Sequence, residues 1–323
     1  MDIQLESAIK NSILSFVIGD VMGTPLQFIS MDSIEESLKQ QPIEELILNA
    51  NTTIPFGAWS DDSSMTLCTM KSITDKQTIN IENMSEYFLM WLYIAYLTPF
   101  DKTFDVGRTT YEALNNFKNN HKMPSGLSDI YSNGNGSLMR ILPVSIYCYL
   151  KNLSHKETFD IVKNVSSITH AHPISILGCY IYTLVVFDIL DKKQKNEIIA
   201  NLSKIYNSKA IPDDYKEWLN KYDTVLDGSI VTQNADNLDA SGYVKGTLEV
   251  ALWGFYNTKS VEDCIFRIIE LGEDTDTNSA VGAGLSGLYY GLRGKVAPQY
   301  WIDKIINKKM IIDMVDKYIE VLR

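Results

Sequence analysis

The stretch that decides the fold, residues 272–287, reads GEDTDTNSAVGAGLSG. Residues 272–278 contain three carboxylates, two hydroxyl side chains and one amide, and residues 279–287 are mostly small. A helical apolar pattern precedes the stretch, with Ser260 as N-cap and Gly272 as the stop signal. The small residues predict a helix that another backbone approaches closely, with the carboxylates at the start of that helix.

Two interpretations of Asp274 and Asp276 are open at this point. Aspartate suits the first turn of a helix, where amide protons are unpaired and the dipole is positive. Capping needs one aspartate, however, and here Thr275 and Thr277 stand beside the two. Oxygen side chains without His or Cys among them are the ligands that Mg²⁺, Mn²⁺ or Ca²⁺ prefer. The segment therefore favours a metal site over capping alone.

A second carboxylate pair opens another helical pattern. Residues 59–65 read WSDDSSM, and no Lys or Arg follows Asp61 and Asp62 until Lys71. Adjacent residues of a helix diverge by about 100°, so both carboxylates can face one site only where the segment is not yet regular helix. A cation site and an N-cap with a solvated neighbour are equally compatible with this segment alone.

Glycines mark two further segments. Gly19 and Gly23 leave a bare strip on the first helix and predict a tight helix crossing, with Asp20 and Gln27 as polar additions. Residues 132–140 read SNGNGSLMR, a glycine-rich turn that feeds a helix and offers backbone amides to a phosphate. Such turns are also common as plain connections.

Two histidines occur in residues 167–173, which read SITHAHP. Because the other candidate ligands are all oxygens, we expect at least one of His170 and His172 to face a ligand as a donor rather than bind the metal. A capping or core role is the alternative. Pro173 then opens an apolar run over residues 174–190, which we interpret as a buried central helix and not as a membrane span.

The pattern predicts an all-α fold. About a dozen helical segments are recognisable, and alternating strand patterns, repeats and low-complexity linkers are absent from the sequence. The motifs between residues 19 and 278 all fall in loops or at helix starts. We therefore expect a single domain over residues 1–323 with one central site.

Composition excludes several classes of function and predicts a location. The 323 residues carry a net charge of −11, which argues against a general binder of nucleic acid or of an anionic membrane. The N-terminal residues have no basic region of the kind that signals secretion. The cysteines are far apart and predict buried free thiols in a reducing compartment, hence a cytoplasmic protein; they are Cys68, Cys148, Cys179 and Cys264.

Taken together and in order, these motifs resemble the ADP-ribosylglycohydrolase family. The resemblance runs over residues 10–292, and residues 241–255 also look similar. It implies an all-α fold with a binuclear Mg²⁺ or Mn²⁺ centre at the base of an ADP-ribose cleft. The matching segments are GDVMG at 19–23, SDDSSM at 60–65, GNGSLMR at 134–140, THAHP at 169–173 and GEDTDTN at 272–278.

The resemblance also assigns roles to residues. Asp61 or Asp62 would orient the water that attacks the anomeric carbon, and the leaving acceptor would be arginine on an ADP-ribosylated protein rather than serine. The implied metal ligands are Ser60, Asp61, Asp62, Asp274, Asp276 and Thr277. The implied substrate contacts are Ser132, Asn133, Gly134, Asn135, Gly136, His170 and Tyr243.

This chain departs from the family pattern at Gln27 and Glu273. Family members often carry Glu at the position of Gln27, where it gates the site; Gln cannot act as an acid or base. Glu273 stands where Gly is frequent. Alternative functions are a non-catalytic ADP-ribose or nucleotide binder and a hydrolase of a serine or small-molecule linkage. A prenyl-synthase-type diphosphate enzyme ranks last, because residues 60–65 contain Asp61 and Asp62 but not the further acidic residue that such a DDxxD site needs.

Overall fold

In the computed structural model, which describes residues 1–323, the regular secondary structure is helical. It has isolated β-bridges but no sheet. The all-α prediction is confirmed. The helices are α1 (Ile3–Gly23), α2 (Met31–Leu38), α3 (Ile43–Leu48), α4 (Asp61–Lys76), α5 (Ile81–Ile94), α6 (Arg108–Asn120), α7 (Leu142–Leu150), α8 (His155–Ser166), α9 (Pro173–Leu190), α10 (Lys195–Leu202), α11 (Asp213–Lys216), α12 (Asp223–Leu226), α13 (Val244–Asn257), α14 (Val261–Ile269), α15 (Thr275–Gly291), α16 (Gln299–Ile302) and α17 (Lys308–Leu322).

Helices α1 and α15 form the most extensively packed pair of the fold. A Cβ atom built on Gly19 would lie 2.5 Å from the carbonyl oxygen of Ser279, and one on Gly23 would lie 2.3 Å from that of Thr275. Midway along the pair, Ser12 Oγ donates to the carbonyl of Gly284 at 2.7 Å. Residue numbers fall along α1 as they rise along α15, so the two helices are antiparallel.

The remaining helices pack around this pair through one continuous core of 81 buried residues. Helix α9 is long and apolar enough to cross a membrane by length and composition, but 78% of it is buried inside the protein. It is thus the central helix that the sequence predicts. Helices α13 and α14 cover α15 on another side.

The region after α9 has less regular helix than its sequence pattern predicts. The apolar pattern of residues 192–226 predicts two amphipathic surface helices, but these residues form α10 and then only one-turn helices and 3-10 turns. Pro212 lacks the amide donor that a continuing helix needs and begins a new turn instead. Residues 226–243 contain two 3-10 turns and no hairpin. The four cysteines are free and buried, as expected.

Replacing Gly19 or Gly23 by Ala should destabilise the protein by at least about 2 kcal/mol, because the new methyl group meets backbone that cannot move independently. Thermal and urea unfolding measure the change. Gly107→Ala is the matched control, since a Cβ there lies 3.9 Å from its nearest neighbour, Thr110 Oγ1. Equal stability of Gly23→Ala and the wild type would contradict the close packing.

Candidate metal and ligand site

The antiparallel pair brings the C-terminal end of α1 next to the N-terminal end of α15, and Asp20 joins the start of α4 to both. The carboxylate of Asp20 is fully buried. It accepts hydrogen bonds from the amides of Ser60 at 2.9 Å and Ser63 at 3.1 Å, and from the Ser63 hydroxyl at 2.6 Å. Asp20 therefore fixes the first turn of α4 at the place where α1 meets α15.

Six predicted metal ligands converge on this point. All six are buried. The hydroxyls of Ser60 and Thr277 both donate to Asp62 Oδ2, at 3.0 and 3.2 Å. Asp274 Oδ2 accepts a hydrogen bond from the Asn135 side chain at 2.7 Å. The structure therefore brings together segments that are more than 200 residues apart, and the role of these residues as ligands stays a prediction.

The chemistry of this cluster fits a divalent cation. One carboxylate oxygen from each of Asp20, Asp62 and Asp276 lies within 4.8 Å of the others. Asp62 Oδ1 and Asp276 Oδ2 are buried without any hydrogen-bond partner. The oxygens of Asp20 already accept several hydrogen bonds. We therefore assign the free ligand oxygens to Asp62 and Asp276, and we assign Asp20 to positioning.

Electrostatics indicate the same need for positive charge. Burial raises the pKa values of Asp61, Asp62 and Asp276 well above the ordinary range, and neighbouring aspartates raise them further. Arg108 lines the rim of the adjacent cavity but is exposed and pairs with Glu112 at 3.3 Å. The carboxylates thus repel one another unless protons or cations neutralise them.

A cavity of about 240 Å³ opens over the cluster and contains Asp61, Asp274 and Thr277 in its lining. A larger cavity of about 360 Å³, near the C-terminal end of α9, has none of these residues. We call one side of the smaller cavity the glycine wall, which consists of Gly134, Asn135, Gly136, His170 and Gly242. We call another side the carboxylate wall, which consists of Gln27 and Asp105, with Phe28 beside it in the lining.

The close packing of the glycine wall is possible only because Gly136 has no side chain. A Cβ on Gly136 would lie 2.9 Å from His170 Cε1. The Asn135 amide donates to the carbonyl of Gly242 at 3.0 Å, and the Asn135 side chain donates to Thr247 Oγ1 at 2.9 Å. The predicted turn is therefore held against the start of α13, with its backbone facing the cavity.

His170 is held as a neutral donor. Arg140 Nη2 donates to Thr169 Oγ1 at 2.7 Å, so the Thr169 hydroxyl directs its proton to His170 Nδ1 at 2.8 Å. Burial and the nearby Arg140 lower the pKa of His170 to about 3. The remaining proton is then on Nε2, on the ring edge that faces the glycine turn and the cavity. By contrast, His172 caps α9 by accepting from the Ile174 amide at 3.2 Å.

Three predicted substrate contacts lie outside the cavity lining. Ser132 donates to Asp129 at 2.6 Å, and Asn133 accepts from Ser175 at 2.9 Å. Tyr243 is half-buried and forms an isolated bridge with Gly134. The structure therefore shows these three residues supporting the loop that carries the glycine wall, and it does not bring them to the cavity.

Asp105 is the functional candidate that sequence reasoning missed. It lies in the loop between α5 and α6 in the left-handed region, with φ of 57°, and its Oδ2 accepts a hydrogen bond from Gln27 Nε2 at 2.7 Å. The loop has no recognisable sequence motif, and the left-handed backbone of Asp105 is visible only in the structure. Gln27, predicted as a gate, thus lies at the cavity and bonds a further carboxylate.

Comparison with known proteins gives consistent results. The sequence model of the ADP-ribosylglycohydrolase family matches residues 1–323. The chain is 24% identical over 308 residues to "ADP-ribosylarginine hydrolase Tri1" of Serratia proteamaculans, covering 95% of this chain and 78% of that protein. It is 22% identical over 297 residues to "ADP-ribosyl-[dinitrogen reductase] glycohydrolase" of Rhodospirillum rubrum, covering 91% and 89%. A solved "ADP-ribosylglycohydrolase-related protein complex" has the same fold, with a TM-score of 0.79, 20% identity and 99% coverage of both chains.

In excess chelator, Asp20→Asn should lower the stability of the protein, whereas Asp61→Asn should not. Asn at residue 20 turns an amide group towards backbone donors and should destabilise by about 2–4 kcal/mol. Asn at residue 61 removes a carboxylate that its neighbours repel, and should leave the melting temperature unchanged or raise it. A large loss of stability in Asp61→Asn without metal would contradict the repulsion.

Proposed function

The chain belongs to the ADP-ribosylglycohydrolase family, and from this premise we propose that it removes ADP-ribose from arginine side chains of proteins by metal-dependent hydrolysis. The observation that carries the proposal is the pair of buried, unpartnered oxygens of Asp62 and Asp276, whose other carboxylate oxygens both accept hydrogen bonds from Thr277 of the cavity lining. Around the same cavity lie a turn suited to phosphate and the further carboxylate of Asp105.

The cluster would hold two Mg²⁺ or Mn²⁺ ions. Asp61, Asp62, Asp274 and Asp276 would supply carboxylate oxygens, and the ligand set is completed by the hydroxyls of Ser60 and Thr277. When bound, the ions would polarise ribose hydroxyls and lower the pKa of a water molecule. The rigid attachment of α4 through Asp20 keeps the ligand oxygens in place before binding.

The glycine wall would bind the diphosphate and ribose. His170 offers its Nε2 proton, and the residue stays neutral and in one tautomer because Arg140 and Thr169 orient it. The absence of side chains at Gly134 and Gly136 lets a ligand approach the backbone. Ser132, Asn133 and Tyr243 would act through the loop that they support.

Asp61 is the candidate for orienting the attacking water. It is 8% exposed and lines the cavity, whereas Asp62 is fully buried. Hydrolysis at the anomeric carbon would pass through an oxocarbenium-like transition state, and the neighbouring carboxylates would stabilise its positive charge. Asp62 would then serve mainly to bind metal.

The carboxylate wall supports arginine as the leaving group. A guanidinium is a planar cation that pairs with a carboxylate through two parallel hydrogen bonds, and a serine leaving group has no such charge. Asp105 supplies a carboxylate at the cavity, and the neutral Gln27 amide orients it. A Glu at residue 27 would instead repel Asp105. The family relatives named for ADP-ribosylarginine agree with this assignment.

The expected partner is an ADP-ribosylated protein. We also propose a cytoplasmic location, which the four free, buried cysteines support because such thiols persist in a reducing compartment. The alternative function is binding of ADP-ribose at the same site without hydrolysis. An assay for released ADP-ribose distinguishes the hydrolase from the binder.

The wild type should release free ADP-ribose from an arginine-ADP-ribosylated protein only with Mg²⁺ or Mn²⁺, and Asp61→Asn should lower the rate by at least about 100-fold. Chromatography of released ADP-ribose measures turnover, and circular dichroism checks that the mutant keeps its helices. Excess chelator should also lower the melting temperature of the wild type. Metal-independent release would refute the proposed mechanism, and ADP-ribose binding without release would identify a binder.

Asp105→Asn should lower kcat/KM for ADP-ribosyl-arginine by about 10–100-fold, because a neutral amide replaces a charge-assisted partner of the guanidinium. The affinity for free ADP-ribose should stay within about twofold, since that ligand has no guanidinium. Gln27→Glu should impair the same reaction through repulsion of Asp105. Equal weakening of ADP-ribose binding would place Asp105 at the nucleotide instead.

A further inference from the structure

Phe28 combines two unfavourable features at the cavity. Its side chain is 73% exposed, although it is a large aromatic residue. Its φ of 64° lies in the left-handed region, which costs a non-glycine residue about 1 kcal/mol or more. Neither feature adds buried apolar area to the core. Because the ring also lines the cavity, Phe28 is a candidate for a role in binding.

The backbone around Phe28 is held firmly in this arrangement. The Phe28 amide donates to the carbonyl of Glu273 at 2.6 Å, and the Glu273 amide donates to the carbonyl of Ile29 at 2.8 Å. Glu273 is itself left-handed, with φ of 60°. The adjacent Gly272 packs so closely on this segment that a Cβ there would lie 2.5 Å from the Ile29 carbonyl oxygen. The backbone that carries the exposed ring is therefore fixed to the segment that continues into Asp274.

We propose that Phe28 is a docking contact for the polypeptide that carries the ADP-ribose, beside the modified residue. The inference rests on the proposed function and extends it to the acceptor protein. Phe28 lines the cavity beside the carboxylate wall, next to Gln27 and to the Asp105 carboxylate that we propose as the partner of the leaving group. The ADP-ribose itself is bound at the glycine wall. What continues outwards from the leaving group is the acceptor backbone, and an exposed aromatic ring on a fixed backbone offers it apolar area.

Charge around the ring favours the same occupant. Glu273 faces Phe28 across the paired segments, and Asp32 lies in the first turn of α2 just after it; both side chains are exposed. The whole chain carries a net charge of −11. Arg108 also lies at the cavity rim, but it pairs with Glu112 at 3.3 Å. The unpaired charges beside Phe28 are therefore acidic, and they attract a basic, arginine-containing segment and disfavour an acidic one.

The test compares a large and a small substrate of the same chemistry. For Phe28→Ala, we expect KM for an arginine-ADP-ribosylated protein to rise about tenfold with kcat nearly unchanged, because a hot-spot aromatic is truncated. KM for free ADP-ribosyl-arginine should stay within about twofold. Tyr300→Ala is the matched control, since this aromatic residue is 49% exposed and does not line the cavity; it should affect neither substrate.

Phe28→Gly separates docking from a role in folding. Glycine tolerates a φ of 64°, so the melting temperature should equal or exceed that of the wild type while KM for the protein substrate rises as in Phe28→Ala. A lower melting temperature, an equal loss on both substrates, or no loss on either would each overturn the docking role. An equal loss would place the ring at the ADP-ribose itself. A wild type that hydrolyses neither substrate would refute the proposed function, and the docking inference with it.

Discussion

The close antiparallel contact between α1 and α15 is the constraint on which the site depends. Gly19 and Gly23 let the two backbones approach within a distance that no side chain allows. This contact places Asp20 beside the first turn of α15, and Asp20 in turn holds the first turn of α4 through its amides. The close packing of α1 on α15 therefore holds together carboxylates from three distant segments, those of Asp20, Asp62 and Asp276.

The resulting cluster stores unfavourable free energy. Carboxylates buried together have raised pKa values, and two of their oxygens have no partner. A protein selected for stability alone would replace such groups with apolar residues. The surrounding packing keeps them in place instead, and a cation is the partner that their oxygen chemistry fits.

The cavity divides recognition between two walls of different construction. The glycine wall presents backbone and one neutral imidazole, which suits a diphosphate and its ribose. The carboxylate wall presents Asp105, oriented by Gln27, which suits a cation. The presence of Gln at residue 27 is explained by this contact, because a neutral amide can donate to Asp105 whereas an acidic side chain would repel it. Gln27, which stands where the family often has Glu, therefore still lines the cavity.

The sequence by itself determined the local features of this protein. The small-residue strip of α15, the start of α4 beside Ser60, the opening of α9 at Pro173 and the oxygen character of the carboxylate segments all follow from neighbours within a few residues. Only the tertiary structure decided which distant groups meet: the bonding of Asp20 to Ser60, the orientation of His170 by Arg140 through Thr169, and the pairing of Gln27 with Asp105. The physical reason is that helical periodicity and capping act over one or two turns, whereas a hydrogen bond between residues 27 and 105 depends on how whole helices pack.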